Sequence, residues 1–318
     1  FFFHAHAAIP DPLWSRGLGD VYKRQNLSPF DVNMAIDAGY EAIIPYTEIG
    51  TEEVGALVQD AIFSRGPEGV KRTGIFIGGR SVDTAIEMLK ITKDSMVPPF
   101  EVSAFADPSG AYTTSAAMVA CAKSYLQSNY SSDLSGKKII ALGGTGPVGV
   151  IASILGAKNK AKVTIVSSSS LERSKSAAQK YSKQYDVEIE ASDMVEDAKG
   201  SSKAKLQKLL SDANIVFAVA KAGIQVVAKE DLEKASKLLI AADVNAVPPS
   251  GIEGLGVSDD GKILKHSKTN ALGVGALAIG NVKYQTQRNL LQKMINSDKP
   301  VYLDFIDAFE EATKHAKK

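Results

Sequence analysis

The chain has 318 residues, 44% of them apolar, and its 37 basic and 36 acidic side chains leave a formal charge of +1. That length and composition suit a globular protein of two domains, without the basic stripe of a nucleic-acid surface or an apolar run long enough to span a bilayer. The single cysteine, Cys121, rules out an internal disulfide framework and fits a reducing cytoplasm.

Residues 1–25 do not read as part of a domain. They lack the basic segment and long apolar core of a secretory signal. From Asp11 the string resembles a translated sequencing adapter fused to an unrelated chain, so residues 1–25 are set apart as a non-native leader. The opening strand of the first domain is then missing or replaced, and removing the leader is expected to leave stability nearly unaltered. His4 and His6 have no further ligand cluster to make a metal site. Trp14, the only tryptophan, is not assigned to the core.

From Asn26 the sequence alternates helix and strand. Ser28 and Pro29 start a helix that Gly39 stops, with Ser28 and Asp31 as capping residues. Residues 40–46 read as a strand, 52–63 as an amphipathic helix, and 73–79 as a buried strand ending in glycines. Ser81 caps a helix to about residue 92, and residues 100–105 alternate like a strand. Alternating strands and helices favour a parallel sheet. A long helix rich in small residues follows over 113–127, with Cys121 as a small core residue inside it. Residues 129–138 are a polar linker.

The most informative stretch is Lys138 to Val150. An apolar run over 139–142 reads as a buried parallel strand, and Gly144, Gly146 and Gly149 follow at G-x-G-x-x-G spacing before a helix begins. Gly144 allows the tight turn, Gly146 lets a pyrophosphate approach the backbone, and Gly149 lets the helix pack close to the strand. The helix N-terminus offers free N–H groups and a positive dipole end, and Pro147 suits its first position. The motif alone is weak. Its context is what confirms it: a strand before, a helix after, and a second strand at 162–167.

Further strands at 187–190, 214–220 and 238–243 alternate with helices at 171–183, 203–212 and 229–237. This makes the central region a doubly wound dinucleotide-binding domain. The second strand ends in Ser167, Ser168, Ser169 and Ser170, with Arg173 beyond, where an NAD-specific site usually carries an acid. Hydroxyls and a guanidinium suit a 2′-phosphate, so NADP is expected, with NAD as the second choice. Thr145, Pro147 and Val148 belong to the phosphate turn. Ala220 and Asn245 end later strands and are expected to border the nicotinamide ribose. The glycine-rich segment 272–280 lets the backbone approach something closely. Helices at 282–296 and 304–317 return to the first domain.

Several local strings together resemble the NAD(P)-dependent methylene-tetrahydromethanopterin dehydrogenases. They are Ser28-Pro-Phe-Asp-Val-Asn-Met-Ala, Gln59-Asp-Ala-Ile-Phe-Ser-Arg-Gly66, Phe76-Ile-Gly-Gly79, Val97-Pro-Pro-Phe-Glu-Val-Ser103, Phe105-Ala-Asp-Pro-Ser-Gly-Ala-Tyr-Thr-Thr114, Gly143-Gly-Thr-Gly-Pro-Val-Gly149, and Gly275-Ala-Leu-Ala-Ile-Gly280 with Lys283. The resemblance implies an α/β protein with a central Rossmann NADP domain, residues 131–284. A smaller α/β pterin domain is built from both chain ends, residues 26–130 completed by 285–318. It also implies a homo-oligomer, a trimer or hexamer, working in one-carbon oxidation without a metal.

The reaction so implied removes hydride from a methylene carbon held between two nitrogens, giving a cation that both nitrogens share. No O–H or N–H proton leaves, so a dedicated general base is unnecessary, and placement and electrostatics carry the catalysis. Asp107, at a strand end, suits the electrostatic role, and the resemblance points to it as well. The bland alternative is a turn aspartate before Pro108. Lys283 matches a lysine that the family places in its cleft and would orient the pterin; most lysines are simply surface residues. Arg65 and Tyr112 are weaker candidates. A methylene-tetrahydrofolate dehydrogenase, or an NADP-binding homologue without turnover, are the alternatives.

Overall fold

A computed structural model describes residues 2–5, 28–195 and 202–317, the first four by their backbone alone. In chain order the strands are β1 (Phe2–Ala5), β2 (Pro45–Ile49), β3 (Gly74–Gly79), β4 (Ser103–Ala106), β5 (Lys138–Leu142), β6 (Lys162–Ser167), β7 (Ile189–Asp193), β8 (Ile215–Ala218), β9 (Ile240–Asp243), β10 (Asp260–Ile263), β11 (Leu272–Val274) and β12 (Tyr302–Leu303). The helices are α1 (Pro29–Asp37), α2 (Thr51–Phe63), α3 (Pro67–Val70), α4 (Val82–Asp94), α5 (Ala111–Tyr130), α6 (Pro147–Lys158), α7 (Leu171–Tyr185), α8 (Ser202–Asp212), α9 (Lys229–Leu232), α10 (Ala276–Asn296) and α11 (Phe305–His315). The chain divides into two compact units. One is Phe1–Thr113 with Tyr284–Glu311, and the other is Thr114–Lys283 with Ala312–Lys318.

The first unit holds a five-stranded sheet in the order β12-β4-β3-β1-β2, with every pairing parallel. The opening strand, expected to be missing or replaced, is supplied by residues 2–5. Phe2 lies opposite both Pro45 and Phe76, so β1 occupies an interior position between β2 and β3. A run of aromatic residues has the β-propensity for that place, which the odd composition around it disguised. The rest of the leader, residues 1 and 6–25 with His6 and Trp14, lies outside the described residues, as do residues 26 and 27.

Strand β2 begins at Pro45, near where the sequence reading ended it. Proline is tolerated as the first residue of an edge strand, and the preceding Ile44 is exposed and not part of the ladder. The register between β1 and β2 slips between Phe3 and Ala5, and Glu48 takes a φ of 59°, as at a bulge. Strand β3 is buried along its whole length, which is why it reads as a continuous apolar run instead of alternating. Helix α1 starts with Pro29 in its first turn, but Ser28 makes no side-chain cap; its carbonyl accepts from Val32 instead. Ser81 does cap α4, accepting from the Thr84 N–H at 3.2 Å. Phe76 meets Phe105 edge-on at 5.5 Å, and Tyr112 meets Phe305 at 5.3 Å. The buried Gln287 of α10 donates to Asp31 of α1 at 2.8 Å, so Asp31 ties α1 to a neighbouring helix.

The second unit holds a seven-stranded sheet in the order β10-β11-β9-β8-β5-β6-β7, parallel except for β10 against β11. Without β10 this is the 3-2-1-4-5-6 order of a doubly wound dinucleotide fold, with the strand order reversing between β5 and β8. Helix α6 is apolar nearly all round and is buried from Gly149 to Gly156. Its neighbour α7 is strongly two-faced, with Ser174, Ala178 and Tyr181 inward. Strands β10 (Asp-Gly-Lys-Ile) and β11 (Leu-Gly-Val) are short and each carries a glycine, so neither stands out as a strand in the sequence. The expected helix at 229–237 shrinks to the single turn α9.

Candidate functional site

Strand β5 ends at Leu142, and the chain turns at Gly143, with a φ of 79°. A side chain there would sit 2.6 Å from the Ala220 Cα, so this turn and the end of β8 touch through their backbones. The N–H groups of Gly143 and Gly144 both donate to the Val166 carbonyl at 3.1 Å. A Cβ on Gly149 would lie 2.4 Å from the Gly144 Cα, so the third glycine of the motif presses α6 onto the turn. Gly146 is different: among the described residues, and apart from its chain neighbours, the one atom near its absent Cβ is the Gly143 carbonyl oxygen, at 3.7 Å. The turn is closed behind by Gly144 and Gly149 and open at Gly146, the N-cap of α6.

The first turn of α6 brings Pro147 to its first position, and Val148 and Gly149 carry N–H groups that an α-helix cannot satisfy internally. Thr145 is half-buried on the same turn. This is the cradle that a pyrophosphate requires: open backbone, unsatisfied donors and a positive helix end.

At the end of β6 the serines divide the work. Ser167 is buried, and its hydroxyl accepts from the N–H groups of Ser169 at 3.2 Å and Ser170 at 3.3 Å. It holds its own turn in this way. Ser170 caps α7, accepting from Arg173 N at 3.2 Å. Ser168 and the Arg173 side chain are exposed. Asp193 lies opposite Ser167 in the β6–β7 register, and its carboxylate accepts from Lys205 Nζ at 3.2 Å and the Val195 N–H at 2.9 Å. The sequence reading missed this acid, which lies one strand beyond the position that the motif rule inspects.

Ala220 is half-buried at the end of β8, against the glycine turn. Asn245 follows β9, but its side chain is 6% exposed and closes its own loop. Its Nδ2 donates to the Pro249 carbonyl at 3.0 Å, and its Oδ1 accepts from Val247 N at 3.0 Å. It shapes the loop from within. Sequence reasoning passed over Asp243 beside it, a wholly buried carboxylate at the carboxyl end of β9. Its Oδ1 accepts from Asn245 N at 2.9 Å, and its Oδ2 accepts from Gly251 N at 2.6 Å and Ile252 N at 3.2 Å. Burial raises its pKa above the ordinary carboxylate value, and the three N–H groups pull in the opposite direction. The signal was an apolar strand ending in Asp243.

Asp107 ends β4 in the first unit and is 0% exposed. Its Oδ1 accepts from the N–H groups of Tyr112 at 2.8 Å and Thr113 at 3.2 Å, and its Oδ2 accepts from the Thr113 hydroxyl at 2.6 Å. The carboxylate expected beside the reacting carbon therefore lies on the start of α5, where an acid complements the helix N-terminus. Between them Ser109 takes a φ of 53° and donates its hydroxyl to the Gly79 carbonyl at 2.8 Å. Tyr112 is buried, and Arg65 is exposed. Lys283 is half-buried on α10, the last residue of the second unit before Tyr284. The residues expected from the sequence to hold a cofactor thus gather along the carboxyl ends of β5, β6, β8 and β9, where an open α/β sheet binds its ligand.

The family model described as methylene-tetrahydromethanopterin dehydrogenase, N-terminal, matches residues 29–109. An NAD(P)-dependent methylenetetrahydromethanopterin dehydrogenase from Methylorubrum extorquens is 42% identical over 92% of this chain and 96% of its own. The bifunctional protein MdtA of the same organism is 32% identical over 92% of this chain and 94% of its own. Among solved structures, shikimate 5-dehydrogenase from Listeria monocytogenes is 13% identical over 98% of this chain and 94% of its own, with a TM-score of 0.47.

Proposed function

The chain belongs to the NAD(P)-dependent methylenetetrahydromethanopterin dehydrogenases, and on that footing we propose how its residues serve the reaction. It is an oxidoreductase that moves hydride from the methylene group of methylene-tetrahydromethanopterin to NAD(P), leaving the methenyl cation. When bound, NAD(P) supplies the hydride acceptor. The observation that carries the reading is the open face at Gly146 above the first turn of α6. Gly144, Thr145, Gly146, Val148 and Gly149 would hold the pyrophosphate there. The exposed Ser168 and Arg173 would meet a 2′-phosphate, and Lys205 offsets the charge of Asp193 nearby. These features favour NADP over NAD.

The second unit is proposed as the cofactor domain and the first as the pterin domain, with Lys283 orienting the pterin. Because its carboxylate is buried on α5, Asp107 is assigned a positioning role: it fixes the segment from Pro108 to Thr113. We also propose that the enzyme acts as a homo-oligomer in the cytoplasm, in one-carbon oxidation.

The test is an assay of nicotinamide reduction with methylene-tetrahydromethanopterin, run with NADP and with NAD. Turnover should be fastest with NADP and much slower with methylene-tetrahydrofolate. The reverse substrate order would make the chain a tetrahydrofolate enzyme. NADP binding with no hydride transfer from either pterin would make it a binding protein. Asp107→Ala should lose turnover together with about 1–2 kcal/mol of stability, the usual worth of a helix cap. A fully stable variant without turnover would return Asp107 to direct contact with the substrate.

A further inference from the structure

The loop over 244–252 is tied at every turn. Asp243 receives the N–H groups of Asn245, Gly251 and Ile252, and Asn245 bridges Val247 to Pro249. The far end is stitched to the segment after β8: Gly251 O accepts from Val226 N at 2.8 Å and Val227 N at 3.0 Å, and Glu253 N donates to Val227 O at 2.9 Å. A Cβ placed on Gly223 of that segment would lie 3.8 Å from the Pro248 carbonyl oxygen. Space for any other arrangement is short, because a Cβ on Gly251 would sit 3.0 Å from the Asp243 carboxylate and 3.1 Å from the Ala218 Cβ. From this tied base Ile224 and Val247 stand exposed, at 48% and 54%.

In a doubly wound sheet the strand-order reversal separates two mononucleotide halves. Strands β5, β6 and β7 serve the adenosine side, so the loops after β8 and β9 border the nicotinamide side. We infer that Asp243 is a positioning residue for the nicotinamide half of the cofactor: it sets one ledge from the loops 219–227 and 244–252. The inference rests on the NADP reading above. A buried carboxylate is a costly group to keep. Loop closure by neutral side chains would avoid that penalty, whereas a carboxylate accepts three N–H groups at once and fixes them rigidly.

Calorimetric titration of Asp243→Asn with NADP and with 2′,5′-ADP, which carries only the adenosine half, tests the assignment. An asparagine at 243 turns an N–H donor toward at least one of the three loop N–H groups. NADP affinity should fall about tenfold or more, the effect of losing one charge-assisted hydrogen bond. The fragment should bind within about twofold of wild type, since its site lies across the sheet. Hydrogen exchange at Asn245, Gly251 and Ile252 should quicken in the ligand-free variant. Gly251→Ala crowds the same carboxylate without removing it and should reproduce the split, which covers the case in which Asp243→Asn does not fold. Equal weakening of both ligands, or no weakening of NADP, overturns the inference. Failure of wild type to bind either ligand overturns the cofactor reading instead.

Discussion

Gly146 and Gly149 are three residues apart in one motif, yet the structure asks different things of them. Alanine at 149 would drive a methyl into the Gly144 backbone, so Gly149→Ala should lower stability by about 2 kcal/mol or more. Alanine at 146 meets only an ordinary contact with the Gly143 carbonyl oxygen, at 3.7 Å, and should cost at most about 1 kcal/mol as a poorer N-cap, while removing most NADP affinity. Thermal melts and cofactor titrations on the two variants check the contrast; equal loss of stability would show that the turn has no open face. Tyr302 gives an independent prediction. Its buried hydroxyl has no hydrogen-bond partner among the described residues, and burial, then the charge of Glu101, pushes its pKa from 10.0 up to about 12. The folded pKa exceeds the unfolded one, so the stability linked to this proton is whole below pH 10.0 and is lost as pH rises through about 12. Tyr302→Phe should be within about 1 kcal/mol of wild type at neutral pH. Its alkaline fall in stability should be shallower than that of wild type, the remainder belonging to Tyr40, Tyr125 and Tyr130, whose pKa values burial also raises; denaturant titrations at rising pH would show the difference.

At the scale of elements, the most exposed expectation concerns β1. Because it lies between β2 and β3, removing residues 1–5 takes away the partner that both strands share. The melting temperature should drop by more than about 10 °C, and an unchanged melt would show that the sheet does without it. The strands most legible in the sequence were those buried on both faces, β3, β5, β6, β8 and β9, because continuous apolar runs between glycines have few other readings. Strands β10, β11 and β12 were not legible: they are short, and β10 is largely exposed, so they exist through their neighbours and not through their own pattern. The candidate site divided in the same way. The glycine turn depends on backbone geometry, which residue type dictates, and it was readable. The directions taken by Ser167, Asn245 and Asp107 depend on which N–H groups fold back within reach, and no local spacing reveals that. Asp243 was hidden for the same reason.

For the molecule as a whole, cofactor binding is linked to stability. A ligand at a hundred times its dissociation constant adds about 2.7 kcal/mol. At equal millimolar concentrations NADP should therefore raise the melting temperature more than NAD does, and Arg173→Ala should narrow the gap. An equal shift from both would remove the 2′-phosphate preference.

The division of the chain has a consequence for its synthesis. Nearly all of the second unit is one unbroken stretch, Thr114–Lys283, whereas the first unit needs Tyr284–Glu311, which carries its edge strand β12. On the ribosome, where domains tend to condense as units, the first unit is thus begun first but completed only after nearly all of the second has been made. Until the tail emerges, β4 has an open flank, and the nascent first unit passes through an interval in which another chain's strand could take that place.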